Sequence, residues 1–269
     1  MTWPKRELAS RHNPLVKRLR AALRRGELRA TGECAVEGFH LVEEALRSEL
    51  EVRAILCTPR AQRQWAQREH YRDIRERCFT TSERVFRSLA QTETSQGIAA
   101  LVRLPRWDLS AVLAKPNAVV TGLLGLQDPG NLGTILRSLD AFGAAACLLG
   151  PNTVSPLNAK VVRASTGAVF RVPVFTQRTE KEVLDVCHQH GLRTLATDAA
   201  VGQPLDKVDL RSGFAFLIGR EGSGLTQKLL AKVDAVVRIP IAAHVDSLNA
   251  AVAAAIVLYE TARQRGFTF

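Results

Sequence analysis

The hydrophobic pattern changes character partway along the chain. Between residues 13 and 104, short apolar runs mix with helical spacings and many charges, whereas beyond residue 117 all-apolar runs alternate regularly with amphipathic stretches. Asn13-Pro14 ahead of Leu15, Val16, Leu19 and Leu23 predicts a capped helix with one modest apolar face. Residues 35–47 read as a second helix, 53–57 as a strand ended by Thr58-Pro59, 60–72 and 82–90 as helices, and 98–104 as a strand. Helices mixed with short strands indicate a small α/β domain.

Residues 106–116 read as a linker. After it, strands are predicted at 118–124, 145–149, 193–197, 214–218 and 235–239, with helices at 132–142, 156–164, 179–190, 225–231 and 247–263. Runs such as Ala118-Val119-Val120 and Phe214 to Ile218 are apolar throughout rather than alternating. That pattern fits a parallel sheet buried on both faces. The expected organisation is a basic helical arm (1–29), a small α/β domain (30–105), a linker (106–116) and a larger α/β domain (117–269).

Composition narrows the setting. A chain of 269 residues, 46% of them hydrophobic, has room for two soluble domains. The longest apolar candidate, 250–259, falls short of the ~18–20 residues of a membrane helix, so no membrane partner is expected. The polar start does not read as a secretory signal. Five scattered cysteines (34, 57, 78, 147 and 187) suit neither a disulfide framework nor a zinc site, and no metal is expected. A reduced, cytoplasmic location follows.

The net charge is +11, and its distribution is uneven. Residues 1–29 carry nine Lys/Arg against Glu7 and Glu27, whereas 30–105 are balanced. A basic stripe of this kind is the usual footprint of nucleic-acid phosphates, although a solvated helix face would look the same.

Three stretches end apolar strands with Gly, Pro or Asn just before a helical pattern, where open α/β sheets place ligand sites. They are 127–137 (Gln-Asp-Pro-Gly-Asn-Leu-Gly-Thr-Ile-Leu-Arg), 218–225 (Ile-Gly-Arg-Glu-Gly-Ser-Gly-Leu), and Ile239-Pro240-Ile241 running to 247–253 (Ser-Leu-Asn-Ala-Ala-Val-Ala). In the first, Asn131 sits at a helix start and Arg137 lies off the apolar stripe, placed to grip a phosphate. In the second, Glu221 is bracketed by glycines; it suits a hydrogen-bond acceptor, a base or a helix cap. In the third, Ser247 suits an N-cap, and Asn249, expected inside the first turn, is a poor helix former. A dinucleotide-dependent oxidoreductase lacks its glycine fingerprint here.

Together these stretches resemble the signature motifs of the SpoU (TrmH) family of SPOUT methyltransferases, over roughly residues 116–265. The segment before them, with Val36-Glu37-Gly38 and Gln96-Gly97-Ile98, is similar to the ribosomal-protein-like substrate-binding domain of many members. The resemblance implies a C-terminal α/β domain with a parallel sheet and a deep trefoil knot. It implies transfer of a methyl group from S-adenosylmethionine to a ribose 2′-hydroxyl of structured RNA, with ribosomal RNA favoured over tRNA, by a homodimer paired through the knot region. Carried over, Thr197, Gly219, Ile239 and Leu248 match cofactor contacts, and Asn131, Arg137, Glu221, Ser247 and Asn249 match the reaction centre. Ala243 and Asp246 depart from the Gly and Glu common at those positions. Family precedent makes Arg137 a proton acceptor. A guanidinium gives up its proton too reluctantly for that role and is better suited to clamp a phosphate and stabilise alkoxide charge. The alternative is a catalytically inactive RNA-binding protein of the same fold.

Overall fold

The computed structural model describes residues 6–28, 32–68, 74–177 and 179–268. The chain forms two compact units, Met1–Arg106 with Leu157–Phe170, and Trp107–Pro156 with Arg171–Phe269.

In the first unit, α1 (Pro14–Arg25) begins at Asn13, whose side chain accepts a hydrogen bond from the Leu15 N–H at 2.9 Å. It buries Val16, Leu19, Ala22 and Leu23 against Ala35, Leu56, Phe86 and Leu101. The basic stretch is therefore partly built into the fold. Arg18 pairs with Glu33 at 2.5 Å, and Arg20 donates to the Ser88 carbonyl at 3.0 Å and its hydroxyl at 2.7 Å. Lys17, Arg24 and Arg25 stay exposed. At the helix end Gly26 has φ +87°, and a Cβ there would lie 2.2 Å from the Leu157 carbonyl oxygen.

The sheet of this unit runs β1 (Glu27–Leu28), β2 (Glu33–Glu37), β5 (Ile98–Arg103), β3 (Glu51–Cys57), β4 (Cys78–Thr80), antiparallel except for the β3–β4 pair. Around it lie α2 (Phe39–Arg47), α3 (Pro59–Trp65) and α4 (Glu83–Arg87). Residues 35–47 do not form the single helix expected from their spacing. Residues 34–36 pair with 100–102 as buried β structure, and Gly38, at φ +100°, breaks the chain before α2. The helix expected at 60–72 ends at Trp65, and residues 69–73 lie outside the described residues.

The second unit opens with α5 (Leu109–Leu113) inside the expected linker, started by Asp108 accepting from the Ala111 N–H at 2.7 Å. Then follow β6 (Val119–Leu123), α6 (Pro129–Ala141) and β7 (Ala146–Leu149). The chain next passes through the 157–170 segment of the first unit, with α7 (Ala159–Ala164). It returns as β8 (Val174–Thr176), α8 (Glu180–Gln189), β9 (Arg193–Thr197), β10 (Gln203–Pro204), β11 (Phe214–Ile218), α9 (Gln227–Leu230), β12 (Ala235–Arg238) and α10 (Ala250–Gln264).

Seven strands form one all-parallel sheet ordered β10-β12-β9-β11-β6-β7-β8. Val120, Leu148, Ala196, Ala215 and Leu217 are buried in its core, as the all-apolar runs predict. The order reverses beside β6, where β7 leaves on one side and β11 and β9 lie on the other. A crevice at the carboxyl ends of such strands is the favoured ligand position in this architecture. No described helix is long and apolar enough to cross a membrane.

Candidate functional site

Three loops reach the carboxyl ends of these strands, and each has a local reason for its shape. After β6, Asp128 caps α6 by accepting from the Asn131 N–H at 2.7 Å, with Pro129 at the first helical position. Asn131 is therefore freed from capping and projects from the first turn. After β11, the backbones of Arg220 and Gly224 exchange hydrogen bonds of 3.1 and 2.9 Å and close a tight hairpin that carries Glu221. Gly222 (φ +84°) and Gly224 (φ +64°) supply its left-handed turns. Gly219 packs against the closing arm: a Cβ on it would lie 2.2 Å from the Gly224 carbonyl carbon.

After β12 the chain runs through Ile239-Pro240-Ile241 to α10, whose start differs from the sequence reading. Ser247 is not the cap. Asn249 is, its Oδ1 accepting from the N–H groups of Ala251 at 2.9 Å and Val252 at 3.3 Å. Asn outcompetes Ser here because the helix starts later than its apolar pattern implied. The amide still has a donor to spare.

That donor ties the loops together. Asn249 Nδ2 donates to Asn131 Oδ1 at 3.0 Å, and Asn131 Nδ2 donates to Glu221 Oε1. Backbone N–H groups only donate and a carboxylate only accepts, so both amide orientations are fixed by the two ends of the chain. Residues 90 and 118 positions apart are thus held in one line. Among the described residues, Glu221 Oε2 has no hydrogen bond.

The line borders a cleft of about 610 Å³, within the ~300–1,000 Å³ usual for small-molecule sites. Eight of the nine residues singled out in the sequence line it: Asn131, Thr197, Gly219, Glu221, Ile239, Ser247, Leu248 and Asn249. Ile218, Ile239, Ile241 and Leu248 give it an apolar side, and Thr197 anchors β9 by donating to the Leu217 carbonyl at 2.9 Å. Its charged lining is Asp198, Glu221 and Asp246 against Arg220, a balance of −2. An apolar wall with surplus carboxylates fits a flat heterocycle bearing a cationic centre, and S-adenosylmethionine is of that type. Sequence reasoning missed Asp198, Ala199 and Ala200, which continue the wall after Thr197. The signal was their position directly after a predicted strand.

Arg137 is the exception. It lies on the exposed side of α6, off the cleft wall, with no hydrogen bond or ion pair among the described residues. Nearby, α6 and α10 present an apolar surface of Thr134, Phe142, Val252, Ile256 and Tyr259, with Tyr259 51% exposed. Among the described residues, no group of three or more His, Cys, Asp or Glu side chains is placed to hold a metal.

Comparison with known proteins identifies related sequences and folds. Residues 118–259 match the model of the SpoU rRNA Methylase family, and residues 13–100 match the MRM3-like substrate binding domain. The 23S rRNA (guanosine(2553)-2′-O)-methyltransferase RlmP of Bacillus subtilis is 33% identical over 94% of this chain and 98% of its own length. An AdoMet-bound rRNA methyltransferase from Sinorhizobium meliloti superposes with TM-score 0.80 at 27% identity, covering 96% of this chain and 97% of that one. AviRb of Streptomyces viridochromogenes, a SpoU methyltransferase solved with AdoMet, gives TM-score 0.80 at 27% identity over 94% of this chain and 98% of its own.

Proposed function

The chain belongs to the SpoU rRNA methylase family, and from that premise we propose that it methylates a ribose 2′-hydroxyl of ribosomal RNA with S-adenosylmethionine as donor. The observation that carries the proposal is the Asn249–Asn131–Glu221 line at the mouth of the acidic, partly apolar cleft.

In this reading Thr197, Gly219, Ile239 and Leu248 hold the cofactor largely through backbone and apolar contact. When bound, the cofactor supplies an electrophilic methyl group. The chain's own task is then to align a 2′-oxygen and receive its proton. Asn131 and Asn249, each held from both ends, orient the sugar. The open Oε2 of Glu221 accepts the proton that the hydroxyl gives up, and Ser247 lines the approach. Arg137 holds a substrate phosphate through its guanidinium and steadies negative charge on the attacking oxygen.

The position of Arg137 off its own cleft supports assembly as a homodimer through the α6–α10 face. An apolar patch containing Val252 and Tyr259 has little use in a free monomer. We extend the proposal to a deep trefoil knot within residues 117–269, to RNA capture by residues 1–105, including the exposed side of α1, and to a cytoplasmic site of action.

Calorimetry with S-adenosylhomocysteine, paired with tritiated-methyl transfer to an unmodified 23S rRNA transcript, tests the reading. Wild type binds and transfers. Arg137→Ala is expected to bind the cofactor product within about two-fold of wild type while transfer is abolished. Cofactor binding without transfer by wild type to any bulk unmodified RNA would favour the inactive RNA binder instead.

A further inference from the structure

A second cleft, of about 550 Å³, lies on the other side of the 220–224 hairpin. It is framed by the ends of β6 and β7 and the starts of α8 and α9, and it belongs to no part of the cofactor site except the hairpin itself. Its charged lining is Lys181, Arg220, Lys228 and Lys232 against Glu180, a balance of +3, whereas the cofactor cleft stands at −2. One short loop thus separates a cationic groove from an anionic one.

The groove's cations are not all spent on the fold. Lys181 pairs with Asp185 at 2.5 Å, and Glu180 accepts from the Thr226 hydroxyl at 3.3 Å. Lys228, Lys232 and the Arg220 guanidinium are exposed and have no hydrogen bond or ion pair among the described residues. Arg220 is nonetheless positioned. Its side chain lies across Gly125, where a Cβ would come within 2.6 Å of its Cγ and Nε. Gly125 is in turn held by its N–H donating to the Thr153 hydroxyl at 3.1 Å, which donates to the Leu123 carbonyl at 3.0 Å. Unpaired cations gathered along one groove give it a positive potential that favours a bound anion.

We propose that this groove binds the phosphodiester backbone of the RNA next to the target nucleotide, with Lys228 and Lys232 on successive phosphates and Arg220 on the phosphate nearest the reacting sugar. The inference rests on the 2′-O-methyltransferase reading, and it names the surface that steers the strand into that site. A polyanion suits the groove better than a single small ion, because the unpaired cations are spread over a loop and two turns of chain. Arg220, Ser223 and Gly224 line both clefts, so a strand in the groove can pass over the hairpin rim and bring the reacting sugar to the cofactor cleft.

The test uses the full-length protein with Lys228→Gln/Lys232→Gln, and Lys115→Gln/Arg211→Gln as a control of equal charge loss at a separate cleft at the amino ends of β6 and β11. Affinity for an unmodified 23S rRNA transcript is measured from 0.05 to 0.5 M salt, with S-adenosylhomocysteine binding and turnover at saturating RNA measured in parallel. At about 0.7–0.9 per phosphate contact, the salt slope of the lysine variant is expected to fall by about 1.4–1.8. That corresponds to roughly 25- to 60-fold weaker binding at 0.1 M salt if the proteins converge at 1 M. Cofactor-product affinity and saturated kcat should stay within two-fold. Wild-type affinity and slope in the lysine variant would overturn the proposal, as would an equal loss in the control. If wild type itself neither binds S-adenosylhomocysteine nor transfers methyl, the enzymatic reading fails instead, whatever the slopes show.

Discussion

Asn249 holds two jobs that substitution can separate. Its Oδ1 caps α10 through the N–H groups of Ala251 and Val252, and its Nδ2 holds Asn131 at 3.0 Å. Asn249→Ala removes both. Loss of the cap costs about 1 kcal/mol, and an exposed amide hydrogen bond adds about 0.5 kcal/mol. At about 2–4 °C per kcal/mol for a unit of this size, the melting temperature should drop by roughly 3–6 °C. Asn249→Asp and Asn249→Ser retain a good capping oxygen, so their stability should stay within about 0.5 kcal/mol of wild type. Neither can donate to Asn131 as the amide does, and the carboxylate would face the Asn131 oxygen directly. With Asn131 free to turn, the line to Glu221 is lost, and misplacement on the order of 1 Å at a reacting centre costs about 10²-fold in rate. The assay is tritiated-methyl transfer alongside thermal unfolding of all three variants. Wild-type turnover in the Asp and Ser variants would remove the Asn249–Asn131 contact from catalysis. If those two melted as low as Asn249→Ala, Asn249 would not be the cap.

Gly219→Ala should weaken S-adenosylhomocysteine binding at least ten-fold by calorimetry, because its methyl would sit 2.2 Å from the Gly224 carbonyl carbon and push the hairpin out of place. Binding within two-fold of wild type would show that the loop moves freely. All five cysteines are buried, and desolvation pushes the Cys78 and Cys187 thiols up to about 12, so native protein at pH 8 should resist a thiol reagent that titrates five groups after unfolding. Rapid labelling of any thiol in native protein would contradict that burial. Thr194 donates to Asp234 from its N–H and its hydroxyl, both at 2.7 Å, and these bonds hold the Asp234 carboxyl below the usual range. A depressed folded pKa gives stability that is present above the unfolded value near 3.9 and is lost as pH falls through the folded one. Asp234→Asn should therefore lower stability at pH 7 by less than about 1 kcal/mol, since the group is half exposed, and the gap should close toward pH 3 in urea titrations. A gap that widens in acid would reverse the assignment.

The central strands were legible because a parallel sheet buried on both faces writes itself as apolar runs: 214–218 coincides with β11, and 118–124 brackets β6. The short strands β4, β8 and β10 carry no such run and went unread. β2 was hidden because Ala35 to Leu46 also satisfies a helical spacing, and only pairing with β5 decides between the two. At the site, glycines and prolines after strands located the loops, since few other residues allow such turns. What the sequence could not supply was the division of labour within them. Asp128, not Asn131, caps α6, and Asn249, not Ser247, caps α10, because capping depends on where a helix begins to within one residue. Nor did helix phase show that Arg137 stands off the cleft, since that depends on how α6 sits against the sheet.

Methyl delivery by this cleft is expected to end on a sugar oxygen. A 2′-O-methyl group blocks alkaline cleavage of the adjoining phosphodiester, whereas a methyl on a base does not. Wild-type protein incubated with methyl-tritiated S-adenosylmethionine and an unmodified 23S rRNA transcript should place its label in alkali-stable dinucleotides. Label recovered only in alkali-released mononucleotides would show that the methyl group is not on the ribose.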